Sequence, residues 1–121
     1  MLRSLRLLAV AVGVGLAIGE TIRSWGVQRP IFAVVDDYVI AVFLVAAAAW
    51  GDRPGAYAFL AAAFGFSSGV LYGSFFLHLS RLSQRDPGNI PQKLLTFLIG
   101  LAFFGSVLGG ALAVRGAARQ R

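Results

Sequence analysis

The chain has 121 residues and a mass of 12.8 kDa, with 58% hydrophobic residues and only 13% charged residues. Soluble domains carry about 25% charged residues. The mean hydropathy of +0.77, with apolar runs of about twenty residues, excludes a disordered tail, a coiled coil and almost every soluble fold. The sequence lacks cysteine, which excludes disulfides, thiolate metal sites and cysteine nucleophiles.

The net charge is +6, but the basic residues lie in the gaps between apolar runs. A nucleic-acid partner needs basic residues gathered on one soluble face, so this placement predicts no nucleic acid and favours the headgroups of a lipid bilayer. The single histidine and the single methionine argue against a haem or copper site within the chain. The spacing of the polar residues indicates no metal site, and the sequence identifies no cofactor.

Four apolar runs predict transmembrane helices at about residues 5–25, 31–50, 55–79 and 92–114. Each run can cross a hydrocarbon core of about 30 Å, and short connectors make consecutive helices antiparallel neighbours. The predicted fold class is all-α: a single-domain integral membrane four-helix bundle in up-down-up-down order. The first run also resembles a cleaved signal peptide, but the chain retains it and we interpret it as a span. The segment 83–89 predicts a solvated turn.

Basic residues divide six to five between the two ends of the predicted bundle. The end with both termini holds Arg3, Arg6, Arg53, Arg115, Arg119 and Arg121. The other end holds Arg23, Arg29, Arg81, Arg85 and Lys93. The positive-inside rule then favours termini in the cytoplasm, and we expect a bacterial inner (plasma) membrane. Because the two counts are so close, insertion in both orientations as an antiparallel dimer stays open.

Three carboxylates fall inside the predicted spans: Glu20, Asp36 and Asp37. Ionisable residues inside a span usually face a bundle interior or a wet cavity. The up-down order places all three in the same half of the membrane, where the polar end of span three also lies. We therefore predict a substrate- or proton-binding site in that half. Its candidate residues are Glu20, Arg23, Asp36, Asp37, Tyr72 and His78.

The acidic residues allow a functional and a structural interpretation. Asp36 and Asp37 point about 100° apart on a helix, so only one can face the bundle axis. A carboxylate at this depth is costly to ionise unless a cation lies nearby, and a group that can change its charge suits a proton-coupled transporter or an organic-cation site. Alternatively, Glu20 pairs with Arg23 three residues on, and these groups with Arg29 neutralise one another as a structural network.

Small residues recur every four positions on three of the predicted spans, a pattern that lets helix backbones approach closely. The helix-packing candidates are Gly65, Gly69, Gly73, Gly105 and Gly109. Packing within one bundle is the simplest use of these stripes. Their number also predicts a homo-oligomer or a place in a larger membrane complex.

These patterns favour a small membrane protein that moves an ion or small solute through a proton-responsive acidic site. One alternative is a non-catalytic accessory or assembly subunit of a larger membrane complex, packed through its glycine stripes. A second alternative is a small membrane-embedded lipid-modifying enzyme that uses the carboxylates and His78. No recognisable catalytic arrangement is present, so we predict no catalytic residue and the sequence argues against an enzyme.

Overall fold

The computed structural model describes residues 1–120, so Arg121, one of the cations counted above, lies outside the described residues. The described chain forms four α-helices, α1 (Leu2–Ser24), α2 (Ile31–Ala49), α3 (Ala56–Ser80) and α4 (Gln92–Arg119), and no strand. All four helices are long and apolar enough to cross a membrane. The predicted all-α four-helix bundle of an integral membrane protein is therefore confirmed, with α4 continuing past the predicted span.

Proline and glycine set the helix ends. Pro30 and Pro91 stand directly before α2 and α4, where a missing backbone N–H is tolerated because the first helical turn has unpaired donors. Gly55 precedes α3 with a φ of +85°, a backbone conformation that residues with a side chain rarely adopt. These short, punctuated connectors hold consecutive helices antiparallel.

The bundle consists of two closely packed helix pairs, α1 with α2 and α3 with α4, which join through α2–α3 and α1–α4 contacts. The α1–α2 pair approaches closely at Gly13, where an added Cβ would lie 3.1 Å from the carbonyl oxygen of Ala41. Between α3 and α4, the hydroxyl groups of Ser67 and Ser106 are 2.8 Å apart in the core. Close backbone approach and buried hydrogen bonds are the attractions that hold helices together in lipid.

Large apolar side chains cover the outside of the bundle as well as its core. Leu44, Leu60 and Phe64 are fully buried, whereas Phe32 and Phe97 are 81% and 61% exposed. Water would make such a surface costly, but a lipid bilayer does not. The backbone groups inside the helices are satisfied within each helix, as a membrane requires.

The two ends of the bundle differ in polarity. One end holds the termini and the connector of residues 50–55; the other, which we call the distal end, holds the connectors of residues 25–30 and 81–91. The prediction of a solvated turn at 83–89 is wrong at its centre, because Asp86 is only 6% exposed. This carboxylate is buried because it pairs with a cation of α1, and the connector folds against the bundle.

Candidate functional site

Glu20 lies one turn before the end of α1, and only 2% of its surface is exposed. Its Oε1 accepts hydrogen bonds from Oγ of Ser24, at 2.7 Å, and from Nη1 of Arg29, with which it forms an ion pair. Its Oε2 is the one buried side-chain oxygen or nitrogen in residues 1–120 that has no hydrogen-bond partner. An unpartnered buried polar atom costs free energy, so this oxygen is a natural acceptor for an added donor.

Asp37 of α2 lies beside Glu20, and both carboxyl groups line the same cavity. Neither ion pair formed by residues 1–120 includes Asp37. A hydrogen bond between two carboxyl groups needs a proton on one of them. We call Glu20 and Asp37 the acid pair, because together they can hold a proton between α1 and α2. Asp36 is exposed on another face of α2.

Arg23 pairs with Asp86 rather than with Glu20, the partner that sequence spacing suggested. Its Nε and Nη2 donate to Oδ2 and Oδ1 of Asp86 at 3.0 Å and 2.6 Å. Burial opposes ionisation of Asp86, but hydrogen bonds from Arg23 and the Gly88 backbone outweigh it and hold the pKa of Asp86 below its ordinary value of 3.8. Asp86 is therefore charged at neutral pH, and it ties the connector to α1.

Asn89 fastens the same connector to the end of α1. Its Nδ2 donates to the carbonyl oxygens of Ile22 and Trp25, at 2.9 Å and 2.8 Å. Its backbone N–H donates to the carbonyl of Arg23 at 2.9 Å. These bonds satisfy carbonyl groups that the end of a helix leaves unpaired. Sequence reasoning missed Asp86 and Asn89, because a turn-forming run predicts a bend but does not predict which residues the bend contacts.

Two cavities meet at Asp37 and Arg23, which line both. The apolar cavity, of about 300 Å³, lies between α1 and α4 and has Glu20 at its polar end. The polar cleft, of about 390 Å³, lies among α2, α3 and the 81–91 connector. The ionisable residues that line the polar cleft are Arg23, Arg29, Asp36, Asp37, His78, Arg81, Arg85 and Asp86. The acid pair thus stands where an apolar space meets a polar one.

His78 and Tyr72 of α3 occupy different surroundings. Nδ1 of His78 is 3.0 Å from Oε1 of Gln92, and this contact holds the ring at the polar cleft. Tyr72 is 59% exposed and its ring lies against those of Phe76 and Phe103. The six candidate residues fall into three places: Glu20, Arg23 and Asp37 at the acid pair, Asp36 and His78 along the polar cleft, and Tyr72 on the outer face.

The helix-packing candidates fall into two groups. Gly109 of α4 faces the ring of Phe64, and a Cβ there would lie 2.8 Å from ring carbons. Gly105 faces α1 more loosely, with its nearest side-chain atoms 3.8 Å or more from a Cβ. The other three have no atom within 4 Å of a Cβ position and form an open strip on α3, which we call the glycine face. Its residues are Gly65, Gly69 and Gly73.

Within residues 1–120, no group of three or more metal-ligating side chains that could hold an ion is found. The fold and the site define a class, the small integral membrane proteins with four spanning helices, here with a buried acid pair near one end. Comparisons of the chain with protein-family models, with curated proteins and with solved structures find no match. The site itself therefore carries the evidence for function.

Proposed function

We propose that this protein is a proton-responsive transporter or channel that moves an ion or small solute across a bacterial inner membrane, with its termini in the cytoplasm. One observation carries the proposal: the buried Glu20 has an unpartnered Oε2 and lies beside Asp37. Ionisable groups within a membrane are costly to keep, and they commonly mark ion and proton pathways. The acid pair is our candidate for the proton-binding group.

The polar cleft gives protons a path between water at the distal end and the acid pair. Asp36 and His78 line this cleft, and Asp37 borders both the polar cleft and the apolar cavity. A carboxyl group in that position can exchange a proton with the polar cleft while a solute occupies the apolar cavity. This arrangement supports coupling between protonation and occupancy of the apolar cavity.

The ion pairs around the acid pair leave Asp37 as the carboxyl group that can change its protonation state. Arg29 pairs with Glu20, and Arg23 pairs with Asp86. Each guanidinium thus has its own carboxylate partner, and Asp37 has no ion-pair partner among residues 1–120. A carboxyl group outside both ion pairs can gain or lose a proton without breaking a salt bridge, and this favours the functional interpretation over the structural one.

Electrical recording on reconstituted protein tests the proposal. Proteoliposomes adsorbed on a solid-supported membrane would receive pH jumps in Na⁺, K⁺ or Cl⁻ solutions, and the transient current would be measured. We expect Glu20→Gln and Asp37→Asn to abolish the pH-dependent current, because each keeps the side-chain size and removes the charge. Asp52→Asn changes an exposed carboxylate at the opposite end and should keep the current. Wild-type protein without a pH-dependent current, or equal currents in all variants, would contradict the proposal.

A second candidate function, a non-catalytic assembly subunit, is favoured by the glycine face. Open space at Gly65, Gly69 and Gly73 would let another helix approach α3 closely. Native mass spectrometry of protein extracted gently from its own membrane separates the candidates. A discrete homo-oligomer supports transport, whereas a fixed complex with larger subunits, broken by Gly69→Leu, supports assembly.

A further inference from the structure

The apolar cavity has the size and lining of a small-molecule site. Its volume of about 300 Å³ is at the lower end of the range for ligand pockets, about 300–1,000 Å³. Gly15 and Leu16 line it from α1, and Ile99 and Ala102 line it from α4. Exposed Leu98 also borders the cavity, so that it opens on the outer surface of the bundle. A ligand can therefore enter from the lipid.

The polar end of the apolar cavity offers acceptors without matching donors. Glu20 lines this end of the cavity and is only 2% exposed, and its Oε2 has no hydrogen-bond partner. Asp37 lines it as well and has no ion pair among residues 1–120. Arg23, the one cation in the lining, already donates to both oxygens of Asp86. The lining from α4 adds no ionisable side chain.

We propose that the apolar cavity binds a small amphiphilic amine, with its protonated nitrogen at Glu20 Oε2 and Asp37 and its hydrocarbon body along α1 and α4. An ammonium supplies both the positive charge and the N–H donors that this end lacks. A proton and the ammonium are then alternative donors to the same carboxyl groups. This inference deepens the proposed function, because the acid pair serves both.

The shape and chemistry of the cavity select among possible occupants. A neutral alcohol of the same length has one donor and no charge to match Asp37. A quaternary ammonium has the charge but cannot donate a hydrogen bond to the unpartnered oxygen. A diacyl phospholipid carries two long chains, and about 300 Å³ cannot enclose them. A primary amine on one aliphatic chain satisfies charge, donor and volume together.

Photolabelling of the full chain in nanodiscs tests this proposal directly. The probe is a primary alkylamine that carries a diazirine on its chain, and the matched probe is the alcohol of the same chain. Labelled peptides are located by mass spectrometry. We expect the amine to label residues 11–19 and 95–102 at least about tenfold more than the alcohol does, because the alcohol cannot form a hydrogen bond in which the donor is charged.

Three variants sharpen the test. Asp37→Asn should reduce amine labelling about tenfold, and Gly15→Leu should abolish it by filling open space without a clash, since no atom lies within 4 Å of a Cβ there. Asp52→Asn, at the opposite end, should label like the wild type. Equal labelling by amine and alcohol, labelling outside the cavity, or displacement by a diacyl phospholipid but not by unlabelled amine would overturn the proposal.

The labelling experiment and the current measurement can contradict their proposals independently of each other. A pH-dependent current without cavity labelling overturns the amine site and leaves the proposed transport function standing. Cavity labelling without any pH-dependent current overturns the transport function and leaves the amine site standing. The two experiments therefore separate the ligand from the activity.

Discussion

The buried ring of Phe64 limits how closely α3 and α4 approach at Gly109. A Cβ at Gly109 would lie 2.8 Å from ring carbons of Phe64, a fully buried side chain. We expect Gly109→Ala to destabilise the protein by about 1–3 kcal/mol, the usual cost of overpacking a core. Thermal unfolding in detergent, followed by circular dichroism, measures the loss. Gly69→Ala adds the same methyl group in open space on α3, where alanine favours a helix more than glycine does, so it should unfold at or above the wild-type midpoint; equal midpoints for both variants would contradict the assignment.

The same contacts show what sequence spacing can and cannot predict about single residues. The four-residue stripe pointed to Gly109, which packs against Phe64, but also to Gly69, which faces open space. It did not point to Gly100, where a Cβ would lie 2.8 Å from the ring of Phe75. Whether a glycine makes a close helix contact depends on which side chain the neighbouring helix places against it. That information is absent from the spacing within one helix.

The 81–91 connector is held against α1 by the Arg23–Asp86 ion pair and by the hydrogen bonds of Asn89. Asp86→Asn keeps the side-chain shape but leaves buried Arg23 without a counter-charge, which costs roughly 2–3 kcal/mol. We expect faster hydrogen exchange at the backbone N–H groups of Gly88 and Asn89, which Asp86 and α1 now hold. Exchange measured by mass spectrometry in nanodiscs tests this. Arg85→Gln, an exposed neighbour, is the control and should leave exchange unchanged.

The pH dependence of this connector follows from the lowered pKa of Asp86. The folded state binds its proton less readily than the unfolded chain, so the stabilisation is complete above the ordinary pKa of 3.8 and disappears as the pH falls through the lower folded value. We expect exchange at Asn89 to accelerate in that acidic range beyond its intrinsic pH dependence. In Asp86→Asn the additional acceleration should vanish; its persistence would assign the effect to another group.

At the scale of the whole molecule, the bundle was predictable and the rotation of its helices was not. Helix number and order follow from apolar length, because the bilayer fixes how long a span must be. The up-down order also predicted that Glu20, Asp36 and Asp37 share one half of the membrane. That Asp37, rather than Asp36, lies beside Glu20 depends on how α2 packs against α1. The sequence of α2 alone does not determine how this helix is rotated against α1.

Orientation in the membrane is a property of the whole chain, and the small charge bias remains when only exposed cations are counted. Arg23 and Arg29 count toward the distal end, but both lie in ion pairs whose side chains are at most 10% exposed. The exposed cations there are Arg81, Arg85 and Lys93. The opposite end exposes Arg3, Arg53, Arg115 and Arg119. We expect the end with the termini to be the cytoplasmic end, by an excess of one exposed cation.

Single-cysteine labelling measures this orientation without background, because the sequence contains no cysteine. Asp52→Cys and Gln84→Cys place exposed thiols in connectors at opposite ends. In intact bacterial cells, we expect a membrane-impermeant maleimide to label Gln84→Cys, and to label Asp52→Cys only after the inner membrane is permeabilised. The reverse pattern would place the distal end in the cytoplasm and would turn the polar cleft toward the cell interior. About half-labelling of both variants in intact cells would show insertion in both orientations, and the acid pairs of an antiparallel dimer would then open on both sides of the membrane.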